Sequence, residues 1–313
     1  MSDELAQQLA GVLGGSITDL VRLSGGASRE TWAFALDGRP LILQRQRPGA
    51  GGSKTGGGMA MEADLVRAAA KAGVPVADVV ASGGDDSPLG APFTVTTRLE
   101  GETIPRKLLR DDEWTNVRPL LAAQCGRALA AIHSIPLDAV DGLEAPDQVE
   151  QFVAILDGYG EPHPAFELAF RWLDQHRPPP TRTAVVHGDF RNGNLIIGPD
   201  GLRAVLDWEI AHLGDPMEDL GWLCTRAWRF GAELPVGGFG TREDLFAAYE
   251  AAGGGTVDPE VVRWWELLGT TKWGVMCIIQ SRSHLDGWSR SVELATIGRR
   301  VCENESDVLA LLP

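Results

Sequence analysis

The sequence predicts an α+β protein in two lobes: a small β-rich lobe over residues 1–97 and a larger helical lobe over residues 98–313. Three observations carry that expectation. The chain has 313 residues, twice the ~150 of an average domain. Short β-like runs and hairpin turns crowd the stretch before residue 98. Nine of the ten tryptophans fall after it, where apolar residues recur at helical spacing.

In chain order, Leu5, Leu9, Val12 and Leu13 share one helical face and Gly14-Gly15 stops it, which predicts a helix over Asp3–Leu13. Apolar runs at Val21–Leu23, Thr31–Leu36 and Leu41–Arg45 predict strands, the last two joined by an Asp37-Gly38 turn. Gly49 to Gly58 reads as a mobile loop. Met59–Ala72 reads as a helix stopped by Gly73 and Pro75, and two more strands follow at Val79–Ala81 and Phe93–Arg98. Leu121, Cys125, Leu129 and Ile132 then mark the buried face of a helix over Leu120–His133. A strand pair in the region 185–207 interrupts the helical pattern, and no internal repeat is present.

Composition narrows the function. Hydrophobic content of 44% with 23% charged residues is that of a soluble globular protein. A net charge of −15 argues against nucleic acid or an anionic membrane as the main partner, because both demand basic patches. The four cysteines (Cys125, Cys224, Cys277, Cys302) share no metal-ligand or redox spacing and are expected to be reduced thiols. The acidic start Met1-Ser2-Asp3-Glu4 is unlike a signal peptide, and no apolar stretch is long enough to span a bilayer. A cytoplasmic protein with no evident protein partner is the expectation.

The chemistry concentrates in His187-Gly188-Asp189-Phe190-Arg191-Asn192-Gly193-Asn194, the apolar run Leu195–Ile197, the turn Gly198-Pro199-Asp200-Gly201 and a second apolar run ending in Asp207-Trp208-Glu209. The turn folds the two runs back on each other. Counting along that hairpin brings Asn194 and Asp207 to one open end, within about two residues of opposition. Asp189 lies in the loop that delivers Asn194. Three oxygen-bearing side chains so placed suit a hard cation such as Mg²⁺ shared with substrate phosphates.

This segment resembles the active-site motif of the aminoglycoside phosphotransferase-like small-molecule kinases, which have the two-lobed protein kinase fold. Their H-G-D-x-x-x-x-N pattern is matched at His187, Gly188, Asp189 and Asn194, and their D-W-E at Asp207-Trp208-Glu209. The resemblance implies that Asp189 is the catalytic residue that accepts the proton of a substrate hydroxyl, and that Asn194 and Asp207 hold Mg²⁺ on the phosphates of ATP. It also implies a nucleotide site. Gly25, Gly26 and Ser28 match the glycine loop, Glu62 matches the helix carboxylate that braces the phosphate-binding cation, and Thr97, Arg98 and Leu99 match the hinge that meets adenine through backbone groups. Gly214-Asp215-Pro216 and Asp219-Leu220 match a further family motif, with Asp219 expected to support the catalytic loop. The region Trp273–Arg282 is closest to the branch associated with acyl-CoA dehydrogenases, which brings hydroxyacyl substrates into consideration.

One departure stands out. Where the family places a cation on the third strand, strict alignment gives Gln44, followed by Arg45. Arg45 alone of the two carries charge, so it is expected to serve the ATP phosphates. Walker A, G-x-S-x-G and H-E-x-x-H patterns are all absent. The acceptor stays open. Eight acids and no Lys or Arg between Asp138 and Phe170 suit a cationic aminoglycoside, or simply a solvated surface. Lys272, Arg282, His284, Arg290, Arg299 and Arg300 suit an anionic one, or merely offset those acids. The sequence thus predicts an ATP- and Mg²⁺-dependent phosphotransferase acting on a hydroxyl of a small molecule. An aminoglycoside O-phosphotransferase and a catalytically silent nucleotide-binding module are the alternatives.

Overall fold

The computed structural model describes residues 2–23, 29–46 and 58–313. Gly25, Gly26 and Ser28 lie outside the described residues, as do residues 49–57 of the glycine-rich stretch.

The small lobe is an antiparallel sheet of five strands: β1 (Ile17–Arg22), β2 (Arg29–Leu36), β3 (Arg39–Gln46), β4 (Val79–Gly83) and β5 (Phe93–Thr97). Their order is β1-β2-β3-β5-β4. Two helices accompany it, α1 (Ser2–Leu13) and α2 (Gly58–Lys71). Period-two alternation gives the sheet two unlike faces. Register opposes Phe34 to Leu41, Trp32 to Leu43 and Glu30 to Arg45. These residues share the face that packs with Leu5 and Leu9 of α1 in the small lobe's core. Arg29, Thr31, Ile42, Gln44 and Gln46 stand on the other face.

The large lobe is helical. It comprises α3 (Pro105–Arg110), α4 (Arg118–Ile132), α5 (Gln148–Tyr159), α6 (Pro164–Gln175), α7 (Met217–Cys224), α8 (Arg242–Ala251), α9 (Pro259–Leu285), α10 (Val292–Ile297) and α11 (Arg300–Leu311). Two small antiparallel ribbons interrupt it. β6 (Ala184–Val186) pairs with β9 (His212–Gly214), and β7 (Leu195–Gly198) with β8 (Gly201–Val205). Its main core joins α4 and α7 to β7 and β8, and draws in Leu65 and Ala69 of α2. Helix α2 therefore packs on the large lobe although it precedes β4 and β5. Trp264 and Leu267 of α9 share a second core with Phe166 and Phe170 of α6. Among the described residues, no helix is long and apolar enough to cross a membrane. Cys125, Cys224 and Cys277 are buried and free, and Cys302 is exposed and free.

Candidate active site

Two short segments meet at the open end of the β7–β8 hairpin. Leu195 faces Val205 in register, and Leu206 N–H donates to the Asn194 carbonyl at 2.8 Å. Asp207 follows directly, so Asn194 and Asp207 do share the hairpin mouth. Asp207 adopts a left-handed backbone, φ 65°, which a short polar side chain tolerates better than most.

The loop carrying Asp189 is fixed from below. His187 and Gly188 N–H groups donate to the buried carboxylate of Asp219 at 2.8 and 2.9 Å. His133 Nε2 meets the same carboxylate at 3.0 Å, and its Nδ1 meets the Tyr249 hydroxyl at 2.9 Å. Burial works against the Asp219 charge, yet the His133 hydrogen bond holds its carboxyl below the ordinary range. Asp219 touches only loop backbone and histidine, so its place is beneath the site. Gly188 has φ +76°, and a Cβ there would lie 2.7 Å from the Ile210 carbonyl, so only glycine fits. Asp189 N–H donates to His187 Nδ1 at 3.2 Å, which leaves the ring proton on Nε2 to donate to the Leu206 carbonyl at 3.1 Å. Burial lowers the His187 pKa and keeps the ring neutral. One imidazole thus joins the Asp189 loop to the Asp207 strand.

Asp189 itself is held by three side chains. Trp222 Nε1 donates to Oδ1 at 2.9 Å, Asn194 Nδ2 to Oδ2 at 2.6 Å, and Arg191 Nε to both oxygens at 3.0 and 3.2 Å. Trp222 and Arg191 carry no role in the sequence reading. Both had a signal: Arg191 fills a variable position of the motif, and Trp222 lies one helical turn past Asp219 in α7.

Around Asp207 the charge is negative. Lost hydration first, then the charges of Glu209, Asp189 and Glu62, push its carboxyl up to about 7. The side chain opens onto the cleft, so water screens part of this. Such surplus charge, with the Asp207 and Asn194 oxygens, fits a hard cation. Among the described residues no three His, Cys, Asp or Glu side chains group to hold a metal. A cation here would therefore draw further ligands from phosphate or water, as Mg²⁺ commonly does.

The small-lobe cation differs from expectation. Arg45 Nη2 pairs with Glu30 at 2.8 Å and its Nη1 donates to the Leu89 carbonyl, both on the α1 face. Alternation with buried Leu41 and Leu43 puts it there. Gln44 stands on the cleft face but is exposed. The cation that meets Glu62 is Arg29 of β2, at 2.7 Å, and it also reaches Glu209 at 3.2 Å. One guanidinium so joins the sheet, α2 and the strand end after Asp207. Burial keeps the Glu62 carboxyl above its ordinary pKa despite Arg29. In the segment expected to be the hinge, Arg98 N–H is spent on the Pro40 carbonyl and Thr97 Oγ1 accepts from Asp78 N–H. Among the described residues Leu99 N–H donates to nothing.

The profile of the phosphotransferase enzyme family matches residues 19–265. Acyl-CoA dehydrogenase family member 10 of Mus musculus is 32% identical over 251 residues, which cover 75% of this chain and 23% of that protein. The chain spans about a quarter of the length of the curated relatives it matches. A candidate aminoglycoside phosphotransferase from Ralstonia eutropha has TM-score 0.73 at 21% identity, covering 99% of this chain and 98% of that one. An aminoglycoside phosphotransferase complexed with ADP and hygromycin B has TM-score 0.65 at 18% identity, covering 98% of both chains. The kinase-like two-lobed fold expected from the sequence is that of these structures.

Proposed function

Because this chain belongs to the phosphotransferase enzyme family, we propose that it transfers the γ-phosphoryl group of ATP to a hydroxyl of a small molecule. The observation that carries this reading is the convergence of Asp189, Asn194 and Asp207 at one hairpin mouth, with the catalytic loop fastened from beneath by Asp219. In the reaction, the acceptor oxygen attacks the γ-phosphorus and its proton passes to Asp189. The bond from that phosphorus to the bridging oxygen breaks, and the electron pair leaves on ADP. Trp222, Arg191 and Asn194 aim the Asp189 carboxylate, so orientation is set before the acceptor arrives.

Asn194 and Asp207 would hold Mg²⁺, which neutralises phosphate charge when bound. Arg29 would face the phosphates from β2 while Glu62 and Glu209 fix its direction. The Leu99 N–H is the hinge donor left for adenine. A structural neighbour's bound ADP supports the nucleotide.

For the acceptor, the dehydrogenase-named relatives favour a hydroxyacyl compound. The aminoglycoside in a neighbour's site favours the second reading, antibiotic phosphorylation. ATP consumption measured against pooled hydroxy acids, hydroxyacyl thioesters, sugars and aminoglycosides separates them. Nucleotide binding is read apart from turnover: Mg·ATP at 100 times its Kd should add about 2.7 kcal/mol of stability. An unmoved Tm at millimolar Mg·ATP would overturn the proposal. A raised Tm with no acceptor used by any pool would favour the silent module.

A further inference from the structure

Two charged cavities lie in the large lobe, and they differ in how they reach Asp189. One, of about 700 Å³, lies on α5 and α6 and is lined by five carboxylates against Arg171 and Arg177. It draws on the acidic stretch that suggested a cationic acceptor. Those acids are engaged within their own lobe: Asp147 caps α5 and pairs with Arg177. No residue of the catalytic hairpin lines this cavity.

The second, of about 890 Å³, lies between α3, the turn after α7 and the start of α11. It is lined by four arginines, Arg106, Arg226, Arg229 and Arg300, against three carboxylates. Two walls connect it to the catalytic loop. Trp228, between the lining residues Ala227 and Arg229, carries the Arg191 guanidinium 4.6 Å from its ring centroid. Pro105, next to lining Arg106, faces Gly193, whose Cβ would lie 3.5 Å from the proline ring. The buried Trp228 and then Arg191 therefore stand between the cavity and Asp189. The Arg191 Nη atoms make no hydrogen bond among the described residues.

The arginines are unequally committed. Arg229 is spent on Glu266 and the Cys224 carbonyl. Arg226 meets Asp307 at 3.3 Å with its side chain 69% exposed. Arg300 meets only Glu303 of its own helix, whose carboxylate lies 3.4 Å from the buried Nε without making a hydrogen bond. Arg106 is in no ion pair among the described residues. Arg106, in no such pair, and Arg226 and Arg300, loosely paired, keep N–H donors with which to take a further anion. Much of the expected C-terminal basic cluster is meanwhile accounted for elsewhere. Lys272 is buried against Gln148 and Glu218, and Arg282 pairs with Glu161. Of that cluster, Arg300 lines this cavity.

Resting on the phosphotransferase reading, we propose that this cavity seats the acceptor, and that Arg106, Arg226 and Arg300 bind an anionic group on it, carboxylate or phosphate. The hydroxyl then lies toward Asp189 beside Arg191. A polycation is disfavoured by the same arginines.

Matched acceptor pairs test the assignment: a hydroxy acid against its methyl ester, and a hydroxyalkyl phosphate against the diol of the same chain. Wild type should favour the anionic member of at least one pair tenfold or more in kcat/KM, and which pair it favours separates carboxylate from phosphate. The R106A/R300Q double variant should raise KM at least tenfold for that member, with a much smaller change for its neutral partner. Calorimetry with butyrate and propyl phosphate reads binding without turnover, and the variant should lose the heat that wild type shows. Equal use of both members, preference for an aminoglycoside, equal loss on both members, or no heat in wild type would each overturn the anionic seat. Retained heat with no acceptor phosphorylated would instead overturn the phosphotransferase reading.

Discussion

The carboxylate of Asp189, the proposed proton acceptor, stands between two regions of unlike charge. On the cleft side the charges of Glu209, Asp189 and Glu62 act on Asp207, and the Arg29 guanidinium pairs with Glu62 and Glu209. On the cavity side Arg191 leans on Trp228, and Arg106, Arg226 and Arg300 lie beyond. The cleft is short of positive charge, and the cavity is lined by one more arginine than carboxylates. Each side is thus suited to a partner of the opposite sign, a nucleotide arriving with its cation on one and an anionic acceptor on the other.

Removing the group that both sides share should have the largest effect. Asp189→Asn keeps the shape but cannot take the hydroxyl proton, so kcat should fall ~10²–10⁴-fold. The KM for ATP should change little, because Asp189 does not lie among the phosphate-facing residues. Steady-state kinetics with Tm as the folding control checks this, and an equal loss in ATP affinity would break the division into sides. Asp207→Asn acts on the cleft alone, raising the Mg²⁺ concentration needed for half-maximal rate. Identical behaviour of the two variants at every Mg²⁺ concentration would contradict separate roles.

A smaller effect tests the cleft's cation. Arg29→Ala should raise the KM for ATP about tenfold, equivalent to ~1.4 kcal/mol. Arg45→Ala should leave that KM in place and lower Tm, since its partners are Glu30 and the Leu89 carbonyl beside α1. Substituting Gln44 by Lys sharpens the point: a lysine on the cleft face beside Arg29 should lower the KM for ATP. A rise in KM with Arg45→Ala and none with Arg29→Ala would restore the assignment drawn from the sequence.

That assignment shows where sequence reasoning stops. The hairpin that brings Asn194 and Asp207 together was legible because local turn chemistry closes it, and pairing follows from counting residues. The strand and helix pattern of the small lobe was legible for the same reason, from hairpin turns and helical spacing. The face of Arg45 was not. Leu41-Ile42-Leu43 is apolar throughout, so alternation alone cannot say which of Gln44 and Arg45 faces the cleft. Burial of Leu41 and Leu43 under α1 decides it, and that is a contact between distant segments. Arg29 pairs with a residue 33 positions away across a stretch without any pairing signal. The arginine cavity needs α3, the turn after α7 and α11 together, and no local spacing brings those segments into one place.

The smallest effect concerns the scaffold beneath both sides. His212, Glu218, Lys272 and Gln148 form a buried cluster, and Lys272 Nζ lies 5.1 Å from the ring centroid of Trp222, whose Nε1 holds Asp189. Burial opposes both charges. The charges of His212 and Lys272 nevertheless hold the Glu218 carboxyl down at about 2, while Glu218's charge and hydrogen bond lift His212 above its ordinary value. A raised histidine pKa adds stability that is fully present below ~6.5 and is lost as pH rises through the folded value. A lowered carboxyl pKa adds stability that is present above the ordinary carboxylate range and is lost as pH falls toward 2. The cluster therefore stabilises most between ~4.5 and ~6.5. Wild-type Tm should decline from pH 6 to pH 8.5, by about 2–4 °C for each kcal/mol of paired charge lost. His212→Gln keeps a polar partner for Glu218 but cannot titrate, so its Tm should be lower than wild type at pH 6 and fall less steeply across that range. The remaining slope is that of Asp207, whose raised carboxyl also loses its proton there. Because the cluster touches neither the nucleotide face nor the arginine cavity, the variant should leave the KM values for ATP and acceptor unchanged. A slope as steep in His212→Gln as in wild type would show that His212 does not contribute to it.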